Sequence, residues 1–500
     1  MPEIKKVLVA NRGEIAIRVF RTCRNMGLGT VAIYTHADRK APHVRYADEA
    51  YCITDNPKDP FYLNKMDRII DVAKKTGAAI HPGYGFYAEN VDFAGACADE
   101  GVIFIGPSPE HIELMGSKIG AKKAMEEAGV PVIPGTKEPV EDFEEAKRVA
   151  EEIGYPIMLK AVHGGGGKGM RFIEKRENFE SAFKNAQSEA LIAFGSREIF
   201  IEKFIVEPHH VEIQVLGDMH GNGIHLFERE CSIQRRYQKV IEEAPSPFIN
   251  DETRAKMYEV TLKALKKLGY YSAGTLEFIV DADQNFYFLE MNTRLQVEHP
   301  ITELITGVDL VHQMIRVAEG KELLYKQEDI QRRGHAIECR IYAEDPENNF
   351  APSPGLLTIY EEPGGPNVRV DSGAYQGYKV PFYYDPLIAK VCTYGKDRSC
   401  AIRNMRRALS EYKVAGIKTS IPFHIRVLKN QAFLSGNYHT GFIDKKFDME
   451  DLRKREHLDI TVPVIAAAIK QLLSEKIAIQ RAMTRSDVEE SSEKSPDKKP

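Results

Sequence analysis

The chain has 500 residues, too many for one hydrophobic core, and a globular composition of 43% hydrophobic and 28% charged residues. Its formal net charge of −5 gives no support for nucleic-acid binding, and no apolar run approaches the roughly 20 residues of a membrane helix. Seven cysteines, an odd number with no Cys-x-x-Cys, point to reduced thiols rather than disulfides or zinc. The first residues run into a strand without a signal-like apolar region, so a cytoplasmic protein is expected.

Lys6–Ala10 reads as a short apolar strand. Asn11-Arg12-Gly13 turns it into a helix with Ile15, Val19, Cys23 and Met26 at helical spacing, ended by Gly27 and Gly29. Thr30–Thr35 is the next strand. This is the βαβ opening of a doubly wound sheet, without the Gly-x-Gly-x-x-Gly of a dinucleotide site. His81-Pro82-Gly83-Tyr84-Gly85-Phe86 is a shaped loop at a strand end, where open α/β sheets collect ligands. Val102–Gly106 repeats the strand pattern and closes the first unit near Met115. A helix with Lys118, Lys122 and Lys123 follows.

A second unit runs from about Val132 to Phe204. Strand Pro156–Lys160 leads into a tract with glycines at 164–167 and 169, then strand Arg171–Ile173. A P-loop opens a helix and ends Gly-Lys-Ser/Thr; here Gly169 follows Lys168. Bare backbone N–H groups in such a hairpin can wrap phosphates, with Lys168 at the tip and Lys160 at the base, and the glycines suit a mobile lid. Glu198–Ile205 leads out as a strand. Glu207–Leu216 and Ile224–Glu230 are two more, and His210 within the first is of a kind more often structural than catalytic. Glu230–Lys239 is basic and polar, either a surface segment or, as its place just before the acidic hairpin suggests, an anion pocket.

Thr275–Pro300 carries the strongest signal. Two alternating segments flank Asp-Ala-Asp-Gln-Asn, a turn composition. A turn centred on Asp283–Gln284 sets Glu277 directly opposite Glu290. Paired like charges repel and call for a cation. Asn292 lies two residues on, and two carboxylates with an amide oxygen suit Mg²⁺ beside substrate phosphates. Arg294, Gln296, Glu298 and His299 continue the polar run. Beyond it come a helix at Asp309–Ala318, a β-rich stretch at His335–Tyr394 with Arg340 on its first strand, and an amphipathic helix at Arg398–Leu409. Val464–Met483 has helical spacing, and 484–500 has the composition of a disordered tail.

Over residues 3–447 these motifs resemble the biotin carboxylase component of the biotin-dependent carboxylases, an ATP-grasp family. The resemblance rests on Ala10–Ala16, His81–Phe86, Gly164–Met170, Ser232–Lys239 and Glu290–Pro300 in that order. It implies an α/β ATP-grasp fold: an N-terminal doubly wound (Rossmann-like) domain over 1–117, an ATP-grasp domain over 118–316 with a mobile glycine-rich lid at about 132–204, an α+β C-terminal domain over 335–447, and a tail over 448–500. It implies that ATP meets Lys118, Lys160 and His210 beneath lid residues Gly165, Gly166, Gly167 and Met170. Glu202, Lys203 and Ile205 would line the adenine pocket, with Gln234, Tyr237 and Ile279 completing the nucleotide site. Glu277, Glu290 and Asn292 would carry Mg²⁺ or Mn²⁺. Bicarbonate would lie among Lys239, Arg294, Gln296, Val297 and Glu298, with Glu298 as base, and biotin near Tyr84 with Arg340 steadying its enolate.

The family reaction makes carboxyphosphate from bicarbonate and ATP, releases CO₂ and phosphate, and lets that phosphate deprotonate biotin. Two positions depart from the family: Tyr237 stands for a usual histidine, and Lys168 for a common arginine, which keeps the charge without the bidentate fork. No Ala-Met-Lys-Met attachment motif occurs in the chain. Biotin is therefore expected on a separate biotin carboxyl carrier or carboxyltransferase polypeptide, with this chain as a homodimer or higher oligomer. Pyruvate, acetyl-CoA, propionyl-CoA and 2-oxoglutarate stand open as final acceptors; Arg45–Tyr51 and the tail lean towards the biotin-carboxylating half of the two-subunit pyruvate carboxylases. The rival readings are another ATP-grasp ligase, such as a purine-pathway carboxylase, and a nucleotide-sensing regulatory protein.

Overall fold

A strand with three apolar side chains in a row must be covered on both faces, and β1 (Lys6–Val9) is. Val7, Leu8 and Val9 are fully buried, two against helix Gly13–Asn25 and the third in a second cluster with Val31, Ile33 and Ile80. Gly13 opens that helix with φ +64, a left-handed turn from strand to helix that favours glycine. With β2 (Gly29–Tyr34), β3 (Glu49–Cys52) and β4 (Ala79–His81) the sheet order is β3-β2-β1-β4, all parallel. The fifth strand expected at Val102–Gly106 is reduced to one bridge between Ile80 and Phe104. Ile80 exchanges two backbone hydrogen bonds with this segment, and Gly106-Pro107 then breaks the ladder, since proline has no N–H to offer.

The computed structural model describes residues 3–162, 170–194, 196–449 and 469–471. Met1–Phe447 is one compact unit and Asp448–Pro500 another. Gly165, Gly166, Gly167 and Lys168 therefore lie outside the described residues, as does most of the helix expected at Val464–Met483. Either side of the glycine tract, β5 (Ile157–Ala161) and β6 (Met170–Ile173) pair antiparallel, and β7 (Ile199–Lys203) flanks β5. Leu159, Ile201 and Phe183 fill the small core of this unit.

The largest sheet has eight antiparallel strands. They are β8 (His209–Gly217), β9 (Gly223–Arg235), β10 (Gln238–Ala244), β11 (Ser272–Val280), β12 (Phe286–Asn292), β13 (His335–Tyr342), β14 (Val368–Ser372) and β15 (Leu387–Gly395), in the order β12-β11-β8-β9-β10-β13-β15-β14. Pairing of β10 with β13, Ile241 facing Cys339, carries the sheet without a break into the C-terminal β-rich region. Every residue of β8 is buried, yet it alternates. Val211, Ile213 and Val215 pack with Met257 and Leu265 of helix Asp251–Leu268. His210, Glu212 and Gln214 take the opposite face, which makes that face polar and buried together. Such a face is tolerable only with its charges paired.

Candidate active site

Glu277 does lie directly opposite Glu290, but the hairpin reaches that pairing by its own route. Val280 faces Phe286 and Phe278 faces Phe288, a turn centred on Asp283 alone. Asp281 holds it by accepting the backbone N–H groups of Asp283 (3.0 Å) and Asn285 (2.9 Å). An irregularity next to Glu277 then gives β12 one extra residue, Leu289, and resets the register. Without that bulge Glu277 would face Leu289.

The buried acids converge on one ammonium. Lys239 on β10 donates to Glu277 Oε1 (2.7 Å), to Glu298 Oε1 (2.7 Å) and to Glu212. Burial works against its charge, but the three carboxylates lift its pKa well above the usual lysine value. His210, Glu212 and Glu277 offer ligand atoms within 4.8 Å of one another; here the Lys239 ammonium bridges the two acids. Glu277 also accepts from Asn292 Nδ2 (2.8 Å) and Gln296 Nε2 (3.3 Å), and His210 Nε2 lies 2.9 Å from its other oxygen. Despite burial, Lys239 and His210 hold Glu277 far below the ordinary carboxylate range. Glu290, open to the cleft, makes no ion pair or hydrogen bond among the described residues. Burial against the cleft wall and the charge of Glu277 raise its pKa. One satisfied and one uncompensated carboxylate fit a hard divalent ion on the Glu290 side. Asn292 fits less well, because its Oδ1 already accepts from Arg294 Nη2 (2.8 Å).

Glu298 stands at the N-terminal end of helix His299–Thr306 and is fully buried. Its Oε2 accepts from Arg340 Nη2 at 2.9 Å. Burial alone would raise its pKa; Lys239 and Arg340 hold it well below the usual range, so it stays ionised at neutral pH. Four lone-pair sites leave it room for a further donor. Arg294 spans Gln296 Oε1 (3.1 Å) and Glu89 Oε2 (2.7 Å). The carbonyl of Val297 accepts from Lys390 Nζ at 2.8 Å, and Lys390 lies 3.2 Å from Glu14, which also takes the Tyr84 hydroxyl.

Tyr84, Lys118, Met170, His210, Gln234, Tyr237, Lys239, Glu277, Glu290, Asn292, Arg294, Gln296, Val297 and Arg340 all line one cleft of about 1080 Å³. Lys160, Glu202, Lys203, Ile205, Ile279 and Glu298 are not among its lining residues. Lys160 is paired instead with Glu202, which Lys122 also approaches at 3.3 Å. Lys203 donates to the carbonyls of Gly154 (2.8 Å) and Tyr155 (3.0 Å). Ile279 pairs with His210 across β11 and β8.

Sequence reasoning missed the supports. Glu212 holds both Lys239 and the buried Arg229, whose Nε lies 2.5 Å from it; its signal was the His-x-Glu-x-Gln alternation of β8. Glu242, 2.6 Å from Arg340 Nε, was also passed over. Glu89 grips Arg294 from the loop after β4, more than two hundred residues away in the chain, and no local pattern marks it.

A three-stranded flap unit beside a sheet that carries paired acids and convergent cations defines an ATP-grasp ligase. The family models agree and narrow the class: "Biotin carboxylase, N-terminal domain" matches residues 3–112, "Carbamoyl-phosphate synthase L chain, ATP binding domain" matches 117–326, and "Biotin carboxylase C-terminal domain" matches 338–445. Biotin carboxylase 1 of Bacillus subtilis is 54% identical over 443 residues, covering 88% of this chain and 98% of that one. A pyruvate carboxylase component of Methanothermobacter thermautotrophicus is 52% identical over 481 residues, covering 93% and 98%. The crystal structure of the biotin carboxylase domain dimer of Hydrogenobacter thermophilus 2-oxoglutarate carboxylase, in complex with MgADP, ADP and bicarbonate, superposes with a TM-score of 0.80 at 51% identity, covering 90% and 99%. The chain belongs to the biotin carboxylase family and is an ATP-dependent ligase of that kind. No described helix is long and apolar enough to cross a membrane.

Proposed function

We propose that this chain carboxylates biotin on a separate carrier as the biotin-carboxylating half of a two-subunit pyruvate carboxylase, working as a homodimer with ATP, Mg²⁺ and bicarbonate. The reading is favoured by the Methanothermobacter match, 52% identical over 481 residues, against 50% over 468 for a 2-oxoglutarate carboxylase small subunit of Hydrogenobacter thermophilus. The 2-oxoglutarate reading is the alternative, favoured by the 90% coverage of the Hydrogenobacter domain, itself a dimer.

The residues divide the chemistry by position. Lys118, His210, Gln234 and Tyr237 line the nucleotide end, and Lys160 leaves Glu202 to meet a phosphate. Glu277 and Glu290 would hold magnesium, which neutralises phosphate charge when bound. Arg294, Gln296 and the Val297 backbone orient bicarbonate against Glu298. Glu298 accepts its proton as the bicarbonate oxygen attacks the terminal phosphorus. Carboxyphosphate then releases CO₂ and phosphate, and the phosphate takes the biotin N1 proton. Arg340, aimed into the same cleft beside Tyr84, balances the enolate charge.

Two measurements test this. ATP hydrolysis by the purified chain should require bicarbonate and rise with free biotin; hydrolysis indifferent to both would return the rival ligase or a regulatory role. Reconstitution with its co-purifying carrier polypeptide should then move the carboxyl group from bicarbonate to pyruvate. Carboxylation of 2-oxoglutarate instead would reassign the acceptor and leave the first result standing.

A further inference from the structure

Glu242 is fully buried on β10, and none of the steps above uses it. Its Oε1 lies 2.6 Å from Arg340 Nε, in a direction too poor for a hydrogen bond, so that both its oxygens lack one. Directly across the β10–β13 ladder stands Glu338, also fully buried. Glu338 Oε2 accepts from Cys392 Sγ at 3.2 Å, and its Oε1 has no partner. Two acids facing each other in a dry sheet resist ionising together, although Lys390 pulls on Glu338 and Arg340 on Glu242.

Arg340 is thus gripped twice, at Nη2 by Glu298 (2.9 Å) and at Nε by Glu242. The grips have different fates in the reaction. When the bicarbonate proton moves to Glu298, that carboxyl becomes neutral and its ion pair to Nη2 weakens. No bond to Glu242 changes. We propose that Glu242 is a positioning residue that keeps Arg340 aimed into the cleft once Glu298 is protonated. Nη2 is then free to meet the biotin enolate while Nε stays anchored. This inference rests on the roles proposed above for Glu298 and Arg340.

Glu242 is faced by Arg340 and Glu338 from β13, by Glu298, by Lys239 on its own strand and by Glu212 from β8. Cys231, Cys339 and Tyr342 also feel its charge. Burial pushes Glu242 up to about 7 against the pull of Arg340, and Glu338 is raised further still, by burial and by Glu242. Above that value Glu242 is ionised and holds the arginine; below it the hold is lost. The biotin-dependent rate should therefore climb with pH through about 7.

The test uses the full chain with free biotin. Biotin-dependent carboxylation and bicarbonate-dependent ATP hydrolysis without biotin are measured across that pH range for Glu242→Gln and Glu338→Gln. In Glu242→Gln the biotin-dependent kcat should fall at least about tenfold more than hydrolysis, since small misplacements of a charge-stabilising group are costly, and the climb near neutrality should vanish. In Glu338→Gln the climb and the maximum rate should both be kept, because Glu338 is raised further than Glu242 and carries its proton already where Glu242 titrates. Equal falls in both activities of Glu242→Gln, or a climb that persists in Glu242→Gln, would overturn the inference. If Glu242→Gln does not fold, Glu242→Asp decides: the shorter acid draws back from Arg340 Nε, so the same larger fall in the biotin-dependent rate is expected, and equal falls overturn the inference. A wild-type chain without bicarbonate-dependent hydrolysis would overturn the site's function and this inference with it; normal wild-type turnover beside an unaffected Glu242→Gln sinks the inference alone.

Discussion

The two ends of the cleft are built on opposite plans. At the end we assign to bicarbonate, Glu212, Glu277, Glu298 and Arg340 are buried, Lys239 is nearly so, and all are already paired with one another. At the end we assign to the nucleotide Lys118 is exposed and Tyr237 is 88% exposed, while Lys160, outside the cleft lining, is occupied by Glu202. The first end is fixed before any substrate arrives, which is what stabilising charge in a transition state requires. The second has its cations exposed or paired elsewhere, so on the proposed assignment the ligand has to assemble it. Substitutions at the two ends should therefore differ in kind as well as in size: fold and rate at one, nucleotide affinity at the other.

Lys239→Met should have the largest effect. It strands three carboxylates around one missing charge, and breaking a buried ion pair costs about 3–5 kcal/mol. Thermal unfolding should drop clearly and carboxylation should be lost; a stable protein with residual activity would show that the acids simply take up protons. Glu298→Gln comes next. It keeps the shape but removes the proposed base, so carboxylation should slow at least ~100-fold, the lower end of general-base effects. ATP binding, read by calorimetry, should stay near wild type because Glu298 is buried beyond the nucleotide end. A near-normal rate would remove Glu298 from the chemistry.

This division explains what was legible in the chain. The hairpin acids, Arg294 and Glu298 fall within one short run, so spacing exposed them. The doubly wound start was equally plain from Val7–Val9 and the helical spacing of Ile15 and Val19. Glu89 was not, because its contact with Arg294 is made only by the fold. Glu242 and Glu338 read as ordinary strand acids; their meaning arises when β10 and β13 pair across about a hundred residues of chain. Turn composition placed the Glu277–Glu290 pair but not the bulge at Leu289 that delivers it, since a bulge leaves no compositional mark when its residue is an ordinary leucine.

Glu290→Gln sharpens the comparison within one strand pair. Glu277 is saturated with partners and Glu290 is not. Loss of the unpaired acid should raise the Mg²⁺ concentration needed for ATP hydrolysis at least about tenfold, the low end for disturbing a metal site. Without metal, the same variant should be no less stable than wild type, because directly opposed like charges cost roughly 0.2–1 kcal/mol. Lower stability of the metal-free variant would mean that Glu290 has a protein partner in solution.

The smallest effect belongs to the nucleotide lip. Arg235 faces Gln238 across a two-residue turn in which Arg236 has φ +50 and Tyr237 φ +65. Such a turn favours asparagine and glycine, so Arg-Tyr there is strained, and strain of this kind persists where it serves a site. Tyr237→His replaces the ring with a residue that adopts positive φ more readily and offers a ring nitrogen to the nucleotide. ATP KM should fall by no more than about fivefold, the worth of one net hydrogen bond near 1 kcal/mol, with kcat unmoved. A change in kcat instead would mean that this lip, 88% exposed at Tyr237, communicates with the rigid end after all, and the two plans would have to be read as one.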